Sequence, residues 1–403
     1  MPFPLPDSSS ELLSLRTTEP ASALCHEWVT TYGGSEQVSG RIVRALGIGD
    51  VFTFAADPEL VRAIFPAKTI RVHELRRTSA ARRHWQWFLP LMPKAWGRLD
   101  LGRFDVVITS SHACTNAISV RPGAYHLSYC HSPMRYAWDW KLELKRFPPP
   151  ARPLWPLAAR TFRRLDRGWA RRVTLFMANS RHVADRIRRY YGRSSVVIHP
   201  PIETGFWAAG PDASREDFFL FAGRLVPYKR ADVAVAAAAM AGVRLVVTGS
   251  GPELPRLKRQ ATPNVEFVTD PTNEELRDLY GRARALVFPG IEDFGMTMVE
   301  AQACGTPVIA FGEGGAREIV RPGITGVLYS DPTPEGLVGA LRAFDPGAYS
   351  TEEMRRHATR FDAGRFDTEI RKVVDAVTRE SVGVASTDDF AERLQQDLHV
   401  DGQ

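Results

Sequence analysis

Arg284-Ala-Leu-Val-Phe-Pro-Gly-Ile-Glu-Asp-Phe-Gly-Met-Thr-Met-Val-Glu-Ala-Gln-Ala-Cys-Gly-Thr-Pro307 starts as an apolar strand, passes through a glycine loop and continues as a helix. The strand covers 284–288, the loop closes on Phe294 and Gly295, and a helix opening near Met296 carries Glu300, with Glu292 left in the loop. A helix start presents backbone N–H groups without intrahelical partners and the positive end of its dipole, so a phosphate is favoured there. Glycine at 295 lets the backbone approach such a ligand. Two carboxylates beside an anion site make sense if each accepts hydrogen bonds from sugar hydroxyls. The ligand that fits has phosphate in the middle and hydroxyl-rich groups at both ends. Taken alone, the same residues are an ordinary surface loop with two solvated glutamates, so the rest of the chain has to decide.

Outward from this stretch, the strand–loop–helix alternation recurs in both directions. Before it come strand-like runs at 51–55, 105–109, 126–130, 175–178, 196–198, 218–222, 244–248 and 265–268, separated by helical segments; after it come 308–311 and 327–329. Short β-branched runs between helices read as parallel sheets covered by helices. The alternation pauses at 199–216, where Pro200, Pro201, Gly205, Gly210 and Pro211 cluster, and the domain boundary is placed there. The expected organisation is an α/β chain: a flexible leader over 1–20, one doubly wound domain over 21–200 and a second over 201–363. A helix over 364–380 is expected to pack back on the first domain, and 381–403 reads as an acidic tail, mobile or weakly docked. Ligands of such folds sit at the carboxyl ends of strands.

The 403 residues suffice for two cores. Four cysteines without CxxC spacing give neither a zinc site nor a disulfide framework, and no apolar run reaches bilayer length. The start lacks the basic and apolar regions of a signal peptide, so the chain reads as cytoplasmic, in contact with a membrane from the inside if at all. The net charge of +6 is uneven: 141–193 holds fifteen basic residues against three acids, and 71–98 seven against one. Trp85, Trp87, Phe88, Trp96, Trp155, Phe162 and Trp169 are interleaved with them. Such a surface suits nucleic acid, an anionic membrane or a phosphate-bearing substrate; equally, the tryptophans can be core and the arginines solvated.

Three other stretches carry candidate chemistry. In Phe221-Ala-Gly-Arg-Leu-Val-Pro-Tyr-Lys-Arg230, Gly223 ends a strand and Arg224 and Lys229 could aim two cations at one diphosphate, or serve as solvated cations of a helix-entry loop. In Thr31-Tyr-Gly-Gly-Ser-Glu36, Gly33 and Gly34 permit backbone approach to a phosphate or sugar, although a plain turn needs no ligand. In Tyr129-Cys-His-Ser-Pro-Met-Arg-Tyr-Ala-Trp-Asp139, His131 follows a strand, with Arg135, Trp138 and Asp139 as a substrate-orienting cluster; a lone histidine is more often structural. Neither the Gly33 loop nor Gly249-Ser-Gly-Pro252 completes GxGxxG, and the P-loop pattern is absent, which weakens dehydrogenase and P-loop readings.

Glu292 and Glu300, Gly223-Arg224 with Lys229, the Gly33-Gly34 loop and Glu313-Gly-Gly-Ala-Arg-Glu318 together resemble the retaining GT-B glycosyltransferases of family 4, from about Ala21 to Arg379. The segment 131–139, with Ala178-Asn-Ser-Arg-His-Val-Ala184, is similar to a narrower branch, the mannosyltransferases of bacterial O-antigen and exopolysaccharide assembly. The resemblance implies two Rossmann-like domains facing an interdomain cleft and transfer of a hexose, mannose from GDP-mannose, to a polyprenyl-diphosphate-linked or polysaccharide acceptor. Alternatives are a UDP-sugar-dependent transferase or a nucleotide-sugar epimerase or hydrolase.

By the same resemblance, Arg224 and Lys229 neutralise the donor diphosphate, Glu300 binds ribose, Glu292 binds the transferred sugar, and His131 contacts donor sugar or acceptor. Gly223, Gly249, Gly295, Met296 and Thr297 lie on the donor, and Gly33 and Gly34 close over its diphosphate. No cofactor or metal is implied, and the chain contains no Asp-x-Asp. Relatives carry a glycine and a basic residue after 267–268 where this chain has Thr269-Asp-Pro271, which leaves the donor base open. Nucleic acid is set aside as partner because it leaves the carboxylate-flanked helix end unexplained.

Overall fold

The computed structural model describes residues 20–143, 149–209, 215–380, 382 and 387–400. They form two compact units, one over Pro200–Arg365 and the other over the chain up to His199 together with Phe366 onward. Among the described residues, no helix is long and apolar enough to cross a membrane.

The N-terminal unit holds seven parallel strands: β1 (Ser22–His26), β2 (Asp50–Thr53), β3 (Arg71–Glu74), β4 (Val106–Ser111), β5 (Tyr125–Cys130), β6 (Leu175–Ala178) and β7 (Ser195–Val197). Their order is β3-β2-β1-β4-β5-β6-β7, with Leu24 level with Val51 on one side and Ile108 on the other. The chain moves outward from β1 to β3, then restarts beside β1 with β4, so the topological switch lies between β1 and β4. β1 and β4 are buried along nearly their whole length, as parallel strands covered on both faces must be. One face packs Leu24, Val51, Ile108 and Leu127 under the helix Gly34–Ala45 and the C-terminal helices. The other packs Cys25, Phe54 and Val107 against Trp96, Trp155, Phe162 and Trp169.

The interleaved aromatic residues are therefore largely core: Trp96, Trp155, Phe162 and Trp169 are buried, Trp85 and Phe88 are half-buried, and Trp87 stands exposed. The strand β3, with sequence Arg-Val-His-Glu, is an edge strand that the hydrophobic pattern does not reveal, because three of its four residues are polar.

The C-terminal unit holds β8 (Phe219–Ala222), β9 (Leu245–Thr248), β10 (Val265–Val268), β11 (Ala285–Phe288), β12 (Val308–Phe311) and β13 (Gly326–Tyr329), in parallel order β10-β9-β8-β11-β12-β13. Here the switch lies between β8 and β11. Its helices start and stop where local chemistry directs. Thr272 and Glu275 form a reciprocal capping box at the start of Asn273–Arg282, and Gly242, left-handed at φ 69°, closes Ala231–Ala241.

The acidic end of the chain is more firmly embedded than its charge suggests. The leader over 1–19, Gly210 and Pro211 of the boundary cluster, and residues 383–386 and 401–403 lie outside the described residues, but Thr387–Val400 is a helix rather than a loose tail. Its acids face out while Phe390, Ala391, Leu394 and Leu398 are buried against β7, in the same hydrophobic core that holds Leu24 and Ile108. Asp388 also accepts from the Ser194 backbone N–H at 2.8 Å, just before β7. The preceding helical segment, from Phe366 on, adds Phe366, Ile370, Val373 and Val377 to the same core, and Asp367 takes a two-pronged contact from Arg41 at 2.6 and 2.7 Å.

Candidate functional site

In open α/β sheets a ligand crevice forms outside the carboxyl ends of the strands at the switch point. In the C-terminal unit those ends are Ala222 and Phe288, and the motif residues follow them at once. Gly223 leaves β8 at φ 148°, a value L side chains rarely adopt, and a Cβ there would come within 3.1 Å of the Lys229 ammonium. Gly249, after the neighbouring β9, faces the Gly223 carbonyl, which an added Cβ would strike. Its glycine is thus required by backbone packing against the Gly223 turn, quite apart from any ligand. Lys229 ends a short 3-10 turn, Pro227–Lys229, and is followed by Arg230 in the left-handed region at φ 55°. A non-glycine residue there is strained and tends to mark functional segments. Gly290 completes the fit: a Cβ on it would strike the Lys229 Cα at 2.8 Å.

Lys229 Nζ sits 3.0 Å from Glu292 Oε1, with both side chains largely buried. The contact is a buried ion pair, with Glu292 Oε1 itself shielded from solvent. Burial pulls the Lys229 ammonium down, but the Glu292 carboxylate and Tyr228 together outweigh it and hold the group above its ordinary value. Exposed Arg224 lies near enough to act on Lys229 electrostatically, so the two cations share one neighbourhood. The loop bearing Glu292 is held from behind by Glu313-Gly314-Gly315. The Gly315 N–H donates to the Glu292 carbonyl at 2.9 Å, Gly314 bridges Glu292, and a Cβ at Gly314 or Gly315 would collide with the carbonyls of Glu292 and Phe294.

Gly295, at φ 105°, caps the helix Met296–Ala303, whose first N–H groups at Met296 and Thr297 have no intrahelical acceptor. Glu300 is one turn in, buried, and accepts from the Tyr280 hydroxyl at 3.2 Å. Burial pushes its carboxyl up to about 7 against the opposing pull of Tyr280 and Lys229. Tyr280 carried no sequence signal; it is an apolar position of the helix Asn273–Arg282 whose hydroxyl turns out to face a carboxylate. After β10, Asp270 adopts φ 49° on an exposed turn.

In the N-terminal unit β1 ends at His26, Ser110 of β4 is level with it, and His131 follows β5. His131 Nε2 lies 2.7 Å from Ser110 Oγ, which lies 3.0 Å from His26 Nδ1 and 2.9 Å from Ser39 Oγ. Beyond His26, Glu36 Oε1 is 3.5 Å from Nε2. His26, Ser39, Ser110 and Glu36 are buried, while His131 is half-buried. His112 joins at ring distances of 6.1 Å from His131 and 6.2 Å from His26. The His112 loop is pinned by buried Glu27, whose Oε1 accepts from the Ala113 and Thr115 N–H groups at 2.8 and 3.0 Å.

Gly33, at φ −160°, is extended backbone that any residue adopts, and Gly34 opens the helix Gly34–Ala45. One expectation changes here. Trp138 and Asp139 do not join His131: Trp138 donates to Asp166 at 2.7 Å and stacks on Tyr190 at 4.3 Å, and Asp139 pairs with Arg186.

Residues 32–206 match the family described as Glycosyltransferase Family 4, and residues 208–359 match Glycosyl transferases group 1. The chain has the GT-B fold of these glycosyltransferases. Among curated relatives, the D-inositol 3-phosphate glycosyltransferase of Mycolicibacterium paratuberculosis is 35% identical over 178 residues, 38% of this chain and 40% of the relative. That of Streptomyces bingchenggensis is 33% identical over 222 residues, 46% and 49% of the two chains. The GT-B chain thus spans less than half the length of these relatives. They are not named as mannosyltransferases of O-antigen or exopolysaccharide assembly, the branch that 131–139 resembles. Among solved structures, sucrose-phosphate synthase of Thermosynechococcus elongatus superposes with a TM-score of 0.69 at 19% identity, over 90% of this chain and 100% of that one. Anabaena HepE in complex with UDP-glucose gives 0.66 at 17% identity, over 88% and 99%.

Proposed function

We propose that this GT-B chain is a retaining glycosyltransferase that moves a hexose from a nucleoside diphosphate sugar to a lipid-linked or polysaccharide acceptor. The observation that carries the reading is the Lys229–Glu292 pair beside the Gly295-capped helix at the switch point of the C-terminal unit. Lys229 and Arg224 neutralise the diphosphate, the Met296 and Thr297 N–H groups and the helix dipole add to that field, Glu292 accepts from hexose hydroxyls, and Glu300 accepts from the ribose.

Fixed cations and dipoles of this kind stabilise charge that develops on the leaving phosphate. The bond between the sugar C1 and the phosphate oxygen breaks, the acceptor oxygen bonds to C1 on the same face, and its proton passes to the leaving phosphate. His131, held by Ser110, orients the transferred sugar or the acceptor.

For the donor we propose GDP-mannose, on the likeness of 131–139 to mannosyltransferases. A UDP-sugar is the second reading, favoured by the UDP-glucose held in HepE, whose structure this chain resembles. Incubating the purified protein with each nucleotide sugar, with and without a polyprenyl-diphosphate-linked acceptor, tests both. Acceptor-dependent transfer from GDP-mannose with the anomeric configuration preserved supports the first reading. Turnover confined to UDP-sugars replaces the donor, and rapid turnover without acceptor replaces transfer by hydrolysis.

A further inference from the structure

The helix Trp155–Ala170 buries Trp155, Ala159, Phe162, Asp166 and Trp169 and turns the remainder outward. The outward half is itself divided. Arg160, Arg164, Arg167 and Arg171 recur at spacings of four, three and four residues, which places them in one stripe along the axis, and all four are exposed. Leu154, Leu157 and Leu165, at spacings of three and eight, form an adjacent stripe and are 70%, 68% and 42% exposed. The one acid of the helix, Asp166, is turned inward to Trp138 and Tyr191, so no carboxylate of this helix stands on its exposed half. Trp87, 64% exposed, and Leu91, 50% exposed, belong to the segment whose Trp85 packs at 6.2 Å on Tyr136; the Tyr136 carbonyl accepts from the Trp155 indole at 3.1 Å. The two segments therefore meet on either side of Tyr136.

Large exposed apolar side chains beside an unbroken row of arginines are costly in water and mark a partner that is apolar below an anionic surface. We infer that the Leu154–Leu157–Leu165 and Arg160–Arg164–Arg171 stripes of this helix and its flanking residues form a docking face for an anionic phospholipid leaflet, the leucines entering the acyl boundary and the arginines lying at the headgroup phosphates. Charge complementarity selects this occupant over a second copy of the chain, whose own arginine row would face the first. The inference is independent of the transfer reaction, since none of these residues belongs to the sites described above.

Vesicle co-sedimentation tests it, with phosphatidylcholine vesicles containing about one third phosphatidylglycerol compared against phosphatidylcholine alone. The full chain is expected to sediment with the anionic vesicles and to be released as salt is raised. Arg160→Glu/Arg164→Glu and Leu154→Gln/Leu157→Gln are each expected to weaken binding by roughly tenfold or more, the first through lost cations near such a surface and the second through lost apolar burial. Both variants should keep the wild-type Tm and the wild-type thermal shift with nucleotide sugar, which separates this outcome from misfolding and from failure of the transferase reading. Equal sedimentation of either variant and wild type, or no wild-type binding to anionic vesicles, overturns the inference. So does a leucine variant whose one change is from dimer to monomer in analytical ultracentrifugation.

Discussion

At the scale of single residues, the Lys229–Glu292 pair makes the sharpest demand. Removing one partner leaves the other charge buried, which destabilises by a few kcal/mol, whereas removing both is milder. Lys229→Met and Glu292→Gln should each lower stability by about 1–3 kcal/mol, and the double variant should lose less than their sum. Sugar transfer should fall by roughly a hundredfold or more in all three, because restored packing does not restore the field on the leaving phosphate. Denaturant unfolding with parallel transfer assays checks both halves; a double variant that regained activity would contradict the assignment.

Glu300 makes a claim about pH. Its carboxyl lies near 7 in the free protein, and ribose hydroxyls donate more strongly to the ionised form. Binding therefore expels a proton, and nucleotide affinity should rise several-fold between about pH 6 and 8, then level off. Calorimetric titration across that range should show the rise, and Glu300→Gln should flatten it.

His131 depends on its support. Ser110→Ala removes the 2.7 Å partner of its imidazole without touching a ligand, and should lower kcat by about tenfold or more while leaving nucleotide affinity near wild type. Affinity and kcat falling together would mean that Ser110 is merely structural.

At the scale of elements, much of the architecture is legible locally. Apolar strand runs, capping residues and glycine turns are neighbours in sequence, and the strand and helix around 284–303 stand where their pattern puts them. Illegible features join residues far apart. Ser110 meets His26 across 84 positions, and Gly314 must be glycine because of the Glu292 carbonyl as well as its own turn. The edge strand β3 hides because it is half-solvated, and Trp138 reads as a site residue until Asp166 claims it.

Asp166 ties the helix Trp155–Ala170 to Trp138 and Tyr191, and burial lifts its carboxyl from 3.8 to about 7. An acid whose folded value is raised binds its proton more tightly in the native state, so its contribution to stability falls as pH rises from about 4 to about 7 and is flat beyond. The substitution Asp166→Asn supplies a permanently neutral side chain of the same shape, whose amide oxygen can accept from both donors. That variant should lose about 1–3 kcal/mol less than wild type between about pH 5 and 8 in chemical denaturation.

At the scale of the whole molecule, each unit has its own sheet and core, and the donor-site residues proposed here lie within Pro200–Arg365. The end of the chain belongs to the other unit: Phe390, Leu394 and Leu398 of Thr387–Val400 are buried against β7 in that unit's core. Burying each such side chain stabilises by about 1.5–3 kcal/mol, so cutting the chain after Glu380 should cost the N-terminal unit several kcal/mol. Nucleotide binding acts on the other unit, adding about 2.7 kcal/mol at roughly a hundred times the Kd. Scanning calorimetry of the full chain should therefore resolve two transitions. Truncation should lower one of them and nucleotide sugar should raise the other, because the apolar face of the acidic helix and the Lys229–Glu292 site draw on separate cores. A truncation that lowered both by the same amount would mean that the two units unfold as one.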